Sequence, residues 1–154
     1  SVHHNVPDYH LLRAEIAEFT NDNATSAAET NKFLDAVAKG NYGKMYNAYL
    51  IEVYADTNPK KALELAQQEV SNRATPETYH LLALAQLKNG VKEDALKTIE
   101  RFVSGKTSEP MALYHAALVY EANGLEEKVI PLKQELLEAE FEVGPVLFRK
   151  IKTL

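Results

Sequence analysis

The 154-residue sequence predicts an all-α fold, an α-solenoid of about four helical hairpins closed by a C-terminal capping helix. Three observations carry that expectation. Features recur at an offset of 34: Pro76 as Pro110, Asn89-Gly90 as Asn123-Gly124, Val91 as Leu125, Ala95-Leu96 as Val129-Ile130, and Phe102-Val103 as Leu136-Leu137. A fixed period of this size is the signature of stacked supersecondary units. Apolar residues within each block fall at helical spacing. Cap-plus-proline pairs open segments, and Asn-Gly or Ser-Gly closes them, as helix ends require.

The elements follow in chain order. Residues 1–6 have no period and form a loose end, with His3 and His4 given no role. Pro7-Asp8-Tyr9-His10-Leu11-Leu12 echoes Pro76-Glu77-Thr78-Tyr79-His80-Leu81-Leu82 and opens the first hairpin, about 7–40. Ser26-Ala27-Ala28-Glu29 has capping-box spacing and starts a helix through Phe33, Leu34 and Val37 that ends near Gly40. The second hairpin, 43–73, pairs a helix over Gly43–Ala55 with one begun by Asn58-Pro59 and carrying Ala62, Leu63, Ala66 and Val70. In the third, 76–105, Thr75-Pro76 starts a helix with Tyr79, Leu82, Ala83 and Leu87. Its second helix carries Ala95, Leu96, Ile99, Phe102 and Val103. The fourth spans 110–140, and Gly144-Pro145 precedes a cap helix over 145–154 bearing Val146, Leu147, Phe148, Ile151 and Leu154. Pro131 demands that the preceding helix start late, near Lys128, or kink, because an interior proline costs ~3 kcal/mol.

Composition narrows the function. The net charge of -5 lacks the basic footprint of a nucleic-acid binder. No apolar run nears the ~18 residues of a membrane span, the longest being about five, as at Leu81–Ala85. With no cysteine, disulfides, thiolate metal sites and cysteine nucleophiles are excluded, while the compartment, cytoplasmic or periplasmic and secreted, stays open. The start at Ser1 suggests a trimmed leader or a piece excised from a longer protein.

A 34-residue helix-turn-helix unit with these landmarks resembles the tetratricopeptide repeat (TPR). The residues carrying the likeness are Tyr79 as the fourth-position aromatic, Leu82-Ala83 and Ala116-Ala117 as the seventh and eighth, Tyr120 as the eleventh, Gly90 and Gly124 at the turns, and Ala62, Ala95 and Val129 as the small residue of the second helix. The match is good over 76–143, fair over 43–75 and weak over 7–40. It departs in having Gln86 at an eleventh position, no tryptophan, and Phe102 and Leu136 where a small residue is usual. The whole is similar to the C-terminal stretch of larger bacterial multi-repeat TPR proteins.

The resemblance implies a right-handed array with a concave groove lined by the first helices and binding a peptide or partner protein. Carried over by position, the groove would comprise Lys44, Asn47, Ile51 and Tyr54; Glu77, His80, Leu84 and Leu87; and Met111, Tyr114, Leu118 and Glu121. Family members that clamp acidic chaperone tails use Lys, Asn and Arg. Ile51 and Leu84 replace the asparagine and Met111 a lysine, which excludes that ligand and favours apolar anchors.

Other motifs have plainer readings. Tyr-His occurs at Tyr9-His10, Tyr79-His80 and Tyr114-His115, but the last two are 35 apart in a 34-residue frame. That rotates them by about 100°, so a shared metal or proton-relay site is not expected. Gly105-Lys106-Thr107 lacks the upstream glycine of a phosphate loop. Asn23-Ala24-Thr25 fits a glycosylation acceptor or, preferably, a capped loop. Tyr42, Tyr46 and Tyr49 form one helical face, for packing between hairpins or, as the alternative, as an aromatic ligand-contacting strip, and Glu126, Glu127, Glu138, Glu140 and Glu142 form solvated faces. The tail helix, with Arg149, Lys150 and Lys152 among its apolar residues, covers the last repeat or docks another chain. No catalytic, metal-ligating or cofactor-binding set emerges. The expected function is non-catalytic protein–protein interaction or scaffolding. The alternative is an accessory assembly domain of a larger secreted or periplasmic multi-repeat protein.

Overall fold

A computed structural model describes residues 6–154, except for the side chains of residues 140 and 141; His3, His4 and the side chain of Glu140 therefore lie outside the described residues. Nine α-helices and no strand occur among the described residues. The chain divides into two compact units, one ending at Tyr46 and one running from Asn47 to Leu154.

The first unit pairs α1 (Val6–Phe19) with α2 (Asn23–Lys39). Asn21 takes a left-handed conformation (φ 61°) in the tight turn between them, which asparagine tolerates better than most residues. The Asp22 carboxylate then caps α2, accepting from the Thr25 amide at 3.1 Å. Helix α2 thus opens before Ser26, and Asn23-Ala24-Thr25 is its first turn rather than a loop. Glu29 is no capping-box residue but a buried ion-pair centre. The small core holds Pro7, Ala14, Ala17 and Phe33, with Tyr46 packed edge-on to Phe33 at 5.8 Å and to Tyr42 at 5.2 Å.

In the second unit, α3 (Asn47–Thr57) packs on α4 (Pro59–Asn72) and α5 (Pro76–Lys88). Helix α5 packs in turn on α6 (Lys92–Phe102) and α7 (Pro110–Ala122). Helices α8 (Glu126–Glu138) and α9 (Glu140–Ile151) both lie against α7 and against each other. Each first helix therefore touches its own partner and the next first helix.

Capping chemistry sets most boundaries. Asn58 accepts from the Lys61 amide, Thr75 and Thr78 exchange capping-box bonds, and Glu109 accepts from the Ala112 amide at 2.9 Å; each cap precedes a proline in the first turn. Gly90 and Gly124 supply the positive φ (82° and 73°) just beyond α5 and α7. The preceding asparagines do more than end helices. Asn89 donates to the carbonyls of Ala85 and Pro59, and Asn123 to those of Val119 and Lys92, tying each first helix to the second helix before it.

Buried alanines, Ala62, Ala66, Ala83, Ala85, Ala95, Ala112 and Ala117, line the helix seams, and small side chains permit close interaxial approach. Ala62, Ala95 and Val129, the small-residue landmarks, are all buried. Tyr79 and Phe102 stack at 3.9 Å with planes 6° apart, so the large residue in place of a small one fills the hairpin.

Three further boundaries differ from expectation. Helix α3 begins at Asn47, not Gly43, because Gly43 has φ 58° and 43–46 form turns. Tyr42 and Tyr46 consequently precede the helix, while Tyr49 is exposed on α3; the three share no helical face. Helix α8 starts at Glu126 and runs through Pro131, which therefore lies in the second turn and leaves the Glu127 carbonyl without its amide partner. The tail helix runs from Glu140, but Gly144 breaks it with φ 78° and ψ 165°, and in the segment from Pro145 onward Leu147 and Ile151 are buried with Leu113 and Leu136.

Candidate functional site

The structure distributes the predicted groove residues unevenly. Ile51 and Leu84 are 0% and 5% exposed and belong, with partly buried Tyr54 and Leu118, to one apolar cluster across α3, α4, α5 and α7. Neither Ile51 nor Leu84 can present a side chain to a partner. Met111 and Tyr114 pack on the cluster beneath α9, and Leu87 on the cluster around Ile99 and Val119. Asn47 donates to the Glu69 carboxylate at 2.5 Å, Glu77 and Glu121 are exposed on the second unit, and Lys44 is exposed on the first. Of the groove residues, Asn47, Tyr54, Leu87, Met111, Tyr114 and Leu118 are half-buried.

His80 is buried, and it meets His115: their Nδ1 atoms are 2.8 Å apart. The one-residue frame slip argued against a shared site. Adjacent helices meet through opposite faces, however, so two residues in one frame position would point the same way and miss each other. The slip is what turns His115 of α7 towards His80 of α5. The third histidine, His10, has a different partner within the first unit, its Nδ1–H donating to the Glu29 carboxylate at 2.7 Å.

Charge surrounds the histidine pair. His80 Nε2 lies 3.8 Å from the Glu109 carboxylate, the cap of α7. A carboxylate only accepts, so the tautomer suited to these neighbours keeps the His80 proton on Nε2 and lets Nδ1 accept from His115 Nδ1–H. Burial holds His80 below the usual histidine range, although Glu109 and Glu77 oppose it. His115 is held well below, by burial first and then by the charges of His80, Lys88 and Lys150. On α3, Glu52 is pushed up to about 7 by desolvation and by the nearby Glu109, with Lys150 pulling the other way. Sequence reasoning did not connect Glu52, Glu109 or Lys150 with the histidines. A signal was present for the first: Glu52 is the lone charge inside the run Tyr49-Leu50-Ile51-Glu52-Val53-Tyr54-Ala55.

Burial therefore favours the neutral form of both histidines at neutral pH, while Glu52, on α3, is the group pushed up to about 7. Among the described residues no group of three or more His, Asp or Glu can hold a metal ion. In the first unit the buried Glu29 carboxylate also accepts from Lys32 at 3.0 Å, with Arg13 at 3.6 Å; the His10 and Lys32 hydrogen bonds keep it below the usual carboxylate range. A groove of about 440 Å³ on α8 is floored by Val129, Leu137 and Leu154 and edged by Glu126, Lys133 and Glu138. No described helix is long and apolar enough to cross a membrane. Comparison with family models, curated proteins and solved structures yields no match to this chain.

Proposed function

We propose that the chain is a non-catalytic protein-interaction module, a row of TPR-like hairpins that holds a peptide or partner protein along its first helices. The observation supporting this reading is the succession α3 on α5 on α7, with Tyr54, Tyr114 and Leu118 half-buried on these helices. Apolar and aromatic side chains that keep part of their surface in water are suited to anchor an extended or helical ligand. Exposed Glu77 and Glu121 add a negative border. The buried Ile51 and Leu84 act beneath this surface as its support.

The test is a peptide-array or pull-down screen with the full chain and with a Tyr54→Ala, Glu77→Ala, Tyr114→Ala, Leu118→Ala variant. Loss of captured ligands at unchanged helicity is the expected result. Capture identical to that of the parent chain overturns the groove reading.

A further inference from the structure

Helix α1 turns its large side chains outward. Tyr9, Leu12, Ile16 and Phe19 are 55%, 57%, 56% and 44% exposed, while Pro7, Ala14 and Ala17 fill the buried side. At 100° per residue these four side chains fall within a sector of about 80°, a continuous stripe nearly three turns long. Scattered apolar residues on a surface need no explanation, but a contiguous stripe marks an interaction site.

The borders of the stripe carry charge of one dominant sign. Asp8 and Glu15 are exposed along the edge next to Leu12 and Phe19. Arg13 lies on the other edge, where its guanidinium donates to the Tyr9 hydroxyl at 3.2 Å and sits 3.6 Å from Glu29. Its charge is thus partly balanced within the unit, and Asp8 and Glu15 dominate the rim.

Size and charge together select the occupant. About half of four large side chains amounts to ~300–500 Å², under the ~800 Å² per partner of a stable protein–protein interface. A second copy paired antiparallel through this stripe would also set each acidic edge against its own counterpart, which is unfavourable. One helix laid along the stripe matches the area, and basic residues on its flank match the rim.

We propose that the outward face of α1 docks an amphipathic helical segment of another protein, with large aliphatic side chains at i, i+3 or i+4, and i+7 and a row of Lys or Arg along one flank. This surface is made of first-unit residues and shares none with the proposed groove. Either can fail without the other.

The probe is a fluorescently labelled synthetic helix with leucines at that spacing and lysines along one flank; a second peptide carries glutamates in place of the lysines. Anisotropy titrations of the full chain should show the lysine peptide binding at least ~10-fold more tightly at low salt, with the advantage falling as salt rises. Leu12→Ala with Ile16→Ala should weaken it ~10-fold through lost apolar contact. Asp8→Lys with Glu15→Lys should reverse the preference between the peptides, and Tyr54→Ala with Tyr114→Ala should change nothing. The charge-reversal pair sits on the surface and keeps the proposal testable if the alanine pair lowers helicity. Equal affinity for both peptides, or binding indifferent to the α1 variants, overturns the proposal. So does concentration-dependent dimerisation abolished by Ile16→Ala, which would assign the stripe to a second copy. Adsorption to phosphatidylcholine–phosphatidylserine vesicles that needs the same residues would assign it to lipid and overturn it too.

Discussion

At the scale of single residues, the buried polar groups of the second unit decide the most. The facing Nδ1 atoms of His80 and His115 can share one proton between them. His80→Ala should therefore cost about 1–3 kcal/mol, since it strands a buried polar ring. Replacing both by leucine should recover part of that loss, and urea unfolding of the four-member cycle measures the coupling. The pH response contains two opposed contributions. Glu52 has a folded-state pKa of about 7, raised above its ordinary value, so its contribution is full below about 4.5 and is lost as pH rises through 7. The histidines, whose folded values are lowered, contribute above 6.5 and lose that contribution as pH falls. Glu52→Gln removes the first effect alone. Relative to the parent, this variant should gain on the order of 2–3 kcal/mol between pH 5 and pH 8, read as a shift in urea midpoint. A pH-independent difference would mean that Glu52 titrates as an ordinary carboxylate.

For the helices, the periodic asparagines and the proline in α8 make opposite predictions. Asn89 and Asn123 each donate two hydrogen bonds, one of them to the preceding second helix. Asn89→Ala should lower stability by about 1–2 kcal/mol, and hydrogen exchange should show the loss where α4 begins as well as where α5 ends. Pro131 is exposed in the second turn of α8 and denies a bond to the Glu127 carbonyl. Pro131→Ala should raise stability by up to ~3 kcal/mol, and an unchanged or lowered denaturation midpoint would contradict this account. The cap-plus-proline starts at Asn58, Thr75 and Glu109 were legible or nearly so, because a cap acts over three residues and needs no distant partner. Helix α1 was harder to orient. Its apolar residues have helical spacing whether they face a core or water, and the smaller Ala14 and Ala17 took the buried side against α2.

Across the whole molecule, apolar burial is unequally divided. All three apolar clusters lie within residues 47–154, whereas the unit ending at Tyr46 relies on Phe33, Tyr46 and small residues around the Glu29 ion pairs. A chain piece near ~40 residues rarely buries enough surface to fold alone. Residues 47–154 expressed separately should therefore keep a cooperative urea transition, while residues 1–46 alone should show little helicity by circular dichroism. Failure of 47–154 to unfold cooperatively would show that its core depends on the first unit.

The sequence alone determined that this protein is built of helical hairpins, and it located most helix ends. Those features rest on short-range physics: caps, left-handed glycines, apolar spacing and a period of 34. It also marked His80, Tyr114 and their neighbours as residues of interest. Only the tertiary structure decided which of them meet. It joined His80 to His115, buried Ile51 and Leu84, desolvated Glu52, and turned the α1 stripe outward. A helix's period states that it has an apolar side, but which neighbour covers that side is set by contacts between residues far apart in the chain. Proton affinities follow the same rule, because burial and the nearest charges are properties of the packed fold.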